Sequence, residues 1–159
     1  MVDSRAKGQR AEYDIRDILR KHTGLGWERV PGSGGFNESQ GLKGDVYLPT
    51  PTGKISAWTI EVKHYLDENF QSNLFRPTES MLEKWLEQTY REAKQMNSKP
   101  ILIFKKTRGI WLVAVDIEHA FHILDTEFTH VNFVKGNWNV IIMRLEDWLS
   151  TQTTEDFIK

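Results

Sequence analysis

The chain has 159 residues, of which 39% are hydrophobic and 27% charged, and its formal net charge is −1 at pH 7. This balance is typical of a folded globular domain and excludes a generally basic nucleic-acid coat, although it is compatible with a local basic patch. The absence of cysteine excludes disulfides and thiolate metal ligands. The N-terminal residues lack the apolar core of a signal peptide, and no apolar run approaches the roughly 20 residues of a membrane span. We therefore expect a cytoplasmic protein with no membrane partner, of cellular or phage origin.

The first half of the chain predicts one helix followed by three short strands. Apolar residues recur at helical spacing from about Ser4 to His22, and the glycines that follow would end this helix. Apolar runs predict strands at 27–30, 46–48 and 55–63. The first two strands are separated by a glycine-rich polar loop, residues 31–44, whose length is typical of functional loops. The turn of proline and glycine between the last two makes them a natural antiparallel pair.

The second half predicts another helix, further strands and a polar tail. Helical spacing runs from Thr78 to Asn97, where Ser80 and Glu83 have the spacing of a capping box. Two strands, a short helix and a hairpin follow at 101–104, 110–115, 117–124 and 131–145. We expect a single α/β domain over residues 1–150, with a central mixed sheet flanked by helices, and a poorly ordered polar tail over residues 151–159.

Three charged residues near the early strands are the main candidates for chemistry. Alternation along the strand at 55–63 places Glu61 and Lys63 on one face and a row of apolar residues on the other. Asp45 begins the neighbouring strand, but its distance from Glu61 depends on a register that the sequence does not fix. Two converging carboxylates repel each other unless a cation lies between them, and Mg²⁺ prefers such oxygen ligands. The pattern indicates metal-dependent hydrolysis of phosphodiesters, in which the ammonium acts on water or on a developing anion.

Glu12 in the first helix is a further acidic candidate. Its spacing from the apolar residues of that helix places it along the buried face or at its border. A carboxylate that points inward is costly unless it is paired or bound to a metal, whereas a surface pair with Arg16 is the simpler alternative. Taken alone, Glu61 and Lys63 favour a solvated charge pair on a strand face. Asp45 and Glu12 together change that balance in favour of a catalytic site.

These residues stand in motifs that resemble the PD-(D/E)XK nuclease superfamily, and within it the archaeal-type Holliday junction resolvases and their phage relatives. The motifs are KGQRAE at 7–12, RVPGS at 29–33, GDVYL at 44–48 and IEVK at 60–63. The likeness extends over roughly residues 5–115, with Gly44 in place of the proline of the superfamily name. The resemblance implies a restriction-endonuclease-like α/β core. It also implies a metal-dependent DNA endonuclease that resolves four-way or other branched DNA as a homodimer, in recombination or repair.

The same resemblance implies roles for individual residues. The catalytic set would be Glu12, Ser33, Asp45, Glu61 and Lys63. Mg²⁺ or Mn²⁺ would be bound by Asp45, Glu61, Glu12 and the carbonyl of Val62. Lys63 would act on the attacking water, and Ser33 would touch the scissile region or the DNA backbone. Basic residues near the expected rim of the site are predicted to contact DNA phosphates, namely Arg5, Lys7, Arg10, Arg29, Lys43, Lys105, Lys106 and Arg108.

Other interpretations stay open at this point. The loop at 31–44 looks longer than in the archaeal enzymes, and those enzymes are usually basic, so the DNA structure that is cut is not fixed. Alternatives are another PD-(D/E)XK nuclease, acting on duplex ends, nicks or a restriction site, and a non-catalytic DNA-binding module on the same fold. Ser33 also fits a simple turn, and His64 a solvated surface. Secondary candidates are Gln88 and Gln95 for support of the site, and Trp138, Trp148 and Phe157 for an apolar dimer interface.

Overall fold

A computed structural model describes residues 4–31, 41–66 and 72–159 of the chain. The strands are β1 (Glu28–Arg29), β2 (Val46–Tyr47), β3 (Trp58–Tyr65), β4 (Lys99–Lys106), β5 (Leu112–Asp116), β6 (His130–Lys135) and β7 (Trp138–Arg144). They form one seven-stranded mixed sheet in the order β1-β2-β3-β4-β5-β7-β6. The α-helices are α1 (Ser4–Thr23), α2 (Met81–Gln95) and α3 (Leu145–Ser150). The predicted α/β architecture is confirmed, and no helix in the described part of the chain is long and apolar enough to cross a membrane.

The connections between strands follow from the turns and from α2. The hairpin between β2 and β3 is antiparallel as predicted, with Val46 opposite Ile60. β3 and β4 pair in parallel, because α2 carries the chain back over the sheet to start the next strand in the same direction. The predicted C-terminal hairpin is also present as β6 and β7. Where a short helix was predicted at 117–124, two 3-10 helices occur instead, at Ile117–His119 and Phe121–Asp125.

A helix covers each face of the central strands. The buried face of α1, including Ile15 and Leu19, belongs to the same core cluster as Ile60 of β3. On the opposite face, Leu82 and Leu86 of α2 form a cluster with residues of β4. The predicted capping box at the start of α2 is confirmed, with both of its hydrogen bonds present. Since both faces of β3 are covered, its charged face does not emerge into solvent as the alternation alone suggested.

The expectation of a poorly ordered C-terminal tail is wrong. Residues Thr154–Phe157 form a 3-10 helix, and Phe157 is only 1% exposed. Its ring makes edge-to-face contacts with Trp27 at 6.0 Å and with Trp148 at 5.9 Å between ring centroids. The Phe157 carbonyl accepts a hydrogen bond from the N–H of Ala57, which ties the chain end to the start of β3. The tail therefore completes the core beneath α1.

This packing also contradicts part of the predicted apolar dimer interface. Trp148 is 1% exposed, like Phe157, so neither side chain is available to a second copy of the chain. Trp138 is half-buried and packs edge-to-face against Tyr90 of α2 at 4.9 Å between ring centroids. Trp148 and Phe157 therefore stabilise this fold from within and do not support a dimer, whereas the predicted role of the half-buried Trp138 stays a prediction.

Replacement of Phe157 by alanine is expected to lower the free energy of unfolding by about 3 kcal/mol, because it removes a fully buried aromatic ring from a three-ring cluster. Urea denaturation of the full chain measures this difference. Glu155→Ala is the matched control, since Glu155 lies in the same 3-10 helix and is exposed. Equal stabilities of the two variants would show that the C-terminal residues do not dock on the core.

Candidate active site

Asp45 is fixed against β3 by its backbone and by its side chain. Its N–H donates to the carbonyl of Ile60 at 2.7 Å, and its own carbonyl accepts from the N–H of Val30 at 2.8 Å. The N–H of Val62 then donates to Oδ2 of Asp45 at 2.7 Å. The carboxylate is thus held beside the residue that follows Glu61. This register brings together the two carboxylates whose separation the sequence left open.

Gly44, directly before Asp45, occupies a position that neither proline nor any other residue with a side chain fits. Its φ is +84°, and a Cβ placed there would lie 2.9 Å from the carbonyl oxygen of Ile60. Its N–H donates to Oε2 of Glu92 at 3.2 Å. Proline has a fixed negative φ and no N–H, so it can satisfy neither requirement. The departure from the proline of the superfamily motif is therefore a consequence of the local backbone.

Gly44→Ala is expected to lower the free energy of unfolding by about 1–3 kcal/mol more than Gly136→Ala does. Both glycines have positive φ, at +84° and +58°, but only Gly44 has backbone atoms within 4 Å of the added Cβ. The difference therefore isolates the close approach to β3 from the general strain of a positive φ. Chemical denaturation of the two variants measures it, and equal losses would contradict the close packing at Gly44.

Glu61 and Lys63 lie together on the face of β3 that α2 covers. Glu61 is 3% exposed, and the ammonium nitrogen of Lys63 lies 3.1 Å from its Oε1. Lys63 also donates to Oε1 of Gln88 in α2 at 3.0 Å. An ammonium has three donors, so one N–H remains beyond these two contacts. The alternation predicted from sequence is confirmed for this pair, but Glu61 is buried and Lys63 half-buried beside the helix, so the pair is not a solvated charge pair.

Burial controls the charge state of the two carboxyl groups. Burial, followed by the negative charge of Asp45, raises the pKa of Glu61 to about 9, although the charge of Lys63 and its hydrogen bond oppose the shift. The pKa of Asp45 is raised to about 7, again by burial first, although its hydrogen bond from Val62 opposes the shift. The ammonium of Lys63 therefore does not fully offset burial and repulsion, so the pKa values favour a proton on Glu61 at neutral pH and place Asp45 near its midpoint.

Glu12 of α1 lies close enough to the site for its charge to raise the pKa of Asp45. Its carboxylate forms a hydrogen-bonded ion pair with Arg29 of β1, and both side chains are largely buried. The guanidinium of Arg29 also lies 5.5 Å from the centroid of the Tyr13 ring. The alternative pairing of Glu12 with Arg16 is not observed, since Arg16 pairs with Asp17. Arg29 is thus bound within the site rather than displayed on an open basic rim.

Glu92 of α2 also lies at the candidate site, although no sequence motif indicated it. Its Oε1 accepts from Nε2 of Gln88 at 3.3 Å, and its Oε2 accepts from the Gly44 N–H at 3.2 Å. Its charge raises the pKa of both Asp45 and Glu61. Of the two glutamines proposed for support, Gln88 contacts Lys63 whereas Gln95 is exposed. The spacing of four residues from Gln88 to Glu92 is the sequence signal that places both on one side of the helix.

Several of the predicted DNA-contacting residues lie at the end of β3, beyond Lys63. Lys7 donates to Oγ1 of Thr107, in the turn after β4, and the ammonium of Lys105 lies 5.5 Å from the Trp111 ring centroid. His64 lies among them, and its pKa is lowered by burial and by the charges of Lys7 and Lys105. Arg5, Arg10 and Arg108 are exposed, whereas Lys43 and Lys106 are half-buried. Ser33 falls outside the described residues.

The donor set at this site fits a small divalent cation with few protein ligands. Within residues 4–31, 41–66 and 72–159, no three His, Asp or Glu side chains are grouped closely enough to hold a metal ion by themselves. Asp45, directly before β2, and Glu61 of β3 supply two carboxylates, and the carbonyl of Val62 directly follows Glu61 in sequence. Mg²⁺ typically binds through one or two carboxylates and keeps several waters. The raised pKa values indicate that a cation here would offset both the free-energy cost of burying charged carboxylates and their mutual repulsion.

Comparisons with known proteins match this chain over almost all of its length. A sequence model of the family described as "Phage putative PDDEXK endonuclease" matches residues 3–159. Protein D14 of Escherichia phage T5 is 54% identical over 158 residues, which cover 99% of each chain. The structure of Archaeoglobus fulgidus Hjc, a Holliday junction resolvase from an archaeal hyperthermophile, is similar with a TM-score of 0.45 and 17% identity, over 91% of this chain and 96% of that one. That last likeness is too distant to indicate a shared substrate.

Proposed function

The chain belongs to the phage PDDEXK endonuclease family and is a nuclease, and we propose that it cuts branched DNA, four-way junctions above all, in a reaction that requires Mg²⁺ or Mn²⁺. The observation that carries this proposal is the convergence of Asp45 and Glu61 beside Lys63. The Val62 N–H holds the first carboxylate at 2.7 Å, and the ammonium lies 3.1 Å from the second. A buried and a half-buried carboxylate beside a cationic side chain, at the pairing of β2 with β3, suit metal-assisted phosphodiester hydrolysis.

Asp45 and Glu61, with the carbonyl of Val62, would hold the divalent ion, and Glu12 would add negative charge at its edge. When bound, such an ion supplies a Lewis acid for the phosphoryl group and lowers the pKa of water. The donor set fits, because the pKa of each carboxyl group is raised in the absence of a positive charge between them. The ion pair between Glu12 and Arg29 limits how much negative charge Glu12 contributes in the DNA-free protein.

Lys63 is proposed to orient the attacking water or to stabilise charge that develops on the phosphate. Two acceptors, Glu61 and Gln88, fix the position of its ammonium group. Its remaining N–H is left for water or a phosphate oxygen. A donor held in place before the reaction contributes more than one that must reorganise during it. Ser33 is proposed, from the RVPGS motif, to contact the scissile region.

DNA is proposed to approach over the end of β3, where Lys7 and Lys105 lie beside His64. The other basic residues of the predicted set, Arg5, Arg10, Lys43, Lys106 and Arg108, would extend phosphate contacts from there, whereas Arg29 is held by Glu12 inside the site. Such contacts supply affinity without sequence information, which suits recognition of a DNA shape rather than of a base sequence. Symmetric cutting of a four-way junction needs two active sites, so we also propose that the protein acts as a homodimer in recombination or repair.

The test is a cleavage assay on a labelled four-way junction, with linear duplex and single strands of the same sequence in parallel reactions. Each reaction contains Mg²⁺ or Mn²⁺, with EDTA and the Lys63→Ala variant as controls. Paired symmetric nicks on the junction alone, lost in both controls, are the expected result. Cleavage of linear DNA with the same controls would reassign the substrate to duplex DNA. Junction binding without metal-dependent cutting would overturn the catalytic proposal and favour a DNA-binding module.

A further inference from the structure

We propose that Glu92 is a positioning residue for this site, which fixes the amide that holds Lys63 and anchors the backbone before Asp45. The inference rests on the proposed function, because Lys63 and Asp45 are the groups whose placement it governs. Glu92 lies outside the motifs that define the site in the sequence, on α2 rather than on the strands. Its carboxylate nevertheless connects to both sides of the candidate site through hydrogen bonds.

The first connection determines which way the Gln88 amide faces. Lys63 can only donate hydrogen bonds and an ionised Glu92 can only accept them, whereas Gln88 between them carries both a carbonyl and an NH₂ group. The carbonyl accepts from Lys63 at 3.0 Å, and the NH₂ donates to Glu92 at 3.3 Å. A flipped amide would set donor against donor at one end and acceptor against acceptor at the other. The carboxylate at position 92 therefore selects the orientation that holds the ammonium.

The second connection holds the chain that enters β2. Oε2 of Glu92 accepts the N–H of Gly44 at 3.2 Å, across 48 residues of sequence. Gly44 lies against the backbone of Ile60 and immediately precedes Asp45. One carboxylate thus fixes the backbone next to the proposed metal ligand and, through Gln88, the proposed catalytic ammonium. Since Glu92 and Gln88 are half-buried, water does not freely replace these contacts.

An exchange of the two side chains tests this arrangement. Glu92→Gln alone replaces one acceptor oxygen by an NH₂ group, which then faces either the NH₂ of Gln88 or the N–H of Gly44. Gln88→Glu alone places two carboxylates side by side. The double variant Gln88→Glu/Glu92→Gln restores every donor to an acceptor, because the new carboxylate accepts from Lys63 and the new amide bridges it to Gly44. We expect each single change to lower the single-turnover cleavage rate by roughly 10–100-fold with DNA affinity unchanged, and the double variant to recover most of that loss.

Glu87→Gln is the matched control, since Glu87 is exposed on the same helix, and it should cleave like the wild-type protein. A readout independent of cleavage is hydrogen exchange of the Gly44 amide by NMR, which should accelerate in Glu92→Ala and stay unchanged in Glu87→Gln. Wild-type rates in both single variants, or a double variant no faster than the slower single one, would overturn the inference. If the wild-type protein cuts no DNA, the proposed function fails, and Gly44 exchange alone then decides whether Glu92 anchors this backbone.

Discussion

Lys63→Ala is expected to lower the single-turnover rate of DNA cleavage by about 10³-fold, which is the upper range for removal of one preorganised donor from an active site. Two contacts fix the ammonium before substrate arrives, one to Glu61 at 3.1 Å and one to Gln88 at 3.0 Å. Its loss removes the remaining donor toward the reacting phosphate. It also removes the charge that opposes the raised pKa of Glu61. The rate is measured with saturating protein on a labelled junction, so that weak binding does not contribute.

Lys84→Ala is the control for this experiment, because Lys84 is exposed on α2 and the substitution makes the same change in net charge. Lys63→Arg is expected to restore little activity, since a planar guanidinium does not replace a compact ammonium between two acceptors. DNA affinity, measured in EDTA, should change little in all three variants. A Lys63→Ala protein that cuts within a few-fold of the wild type would remove Lys63 from the mechanism.

The sequence was sufficient to predict the pair Glu61 and Lys63 but not the environment of that pair. Strand alternation depends only on local geometry, so it correctly places both side chains on one face. Their burial depends on α2, which is distant in sequence and crosses over that face on its way to β4. The contact with Asp45 depends on the register of β2 against β3, which a shift of one residue would destroy. Glu92 was missed for the same reason, because its link to Gly44 spans two elements.

The C-terminal residues show the limit of reasoning from composition. The last ten residues are mostly polar, and a segment with two apolar side chains gives no periodic signal. Phe157 nonetheless packs edge-to-face on Trp27 and Trp148. Trp27 is far in sequence from both of the other rings. One buried ring anchors the segment, because Trp27 and Trp148 form the site into which it packs. Only tertiary packing could have identified this residue as part of the core.

In the metal-free protein, the free energy of unfolding is expected to fall as pH rises from about 5 to about 9, through the carboxyl groups at the site. The pKa of Glu61 is raised from 4.5 to about 9 and that of Asp45 from 3.8 to about 7, principally by burial. The folded chain therefore holds protons that the unfolded chain has already released. This stabilisation is fully present below the unfolded pKa values and is lost as pH rises through the folded ones. Each such proton corresponds to about 1.4 kcal/mol per pH unit.

A divalent cation should reverse this loss, because it binds the ionised carboxylates and replaces the missing protons. We expect Mg²⁺ to raise the melting temperature more at pH 9 than at pH 6, and Glu61→Gln to flatten the pH dependence and reduce the response to Mg²⁺. Glu87→Gln should retain both. The lowered pKa values of His64 and His119 make stability rise with pH near 6, so the effect is measured as the difference between wild type and Glu61→Gln. If the free energy of unfolding of those two proteins has the same pH dependence, the pKa of Glu61 is not raised in the folded protein. If their melting temperatures respond equally to Mg²⁺, the ion binds elsewhere.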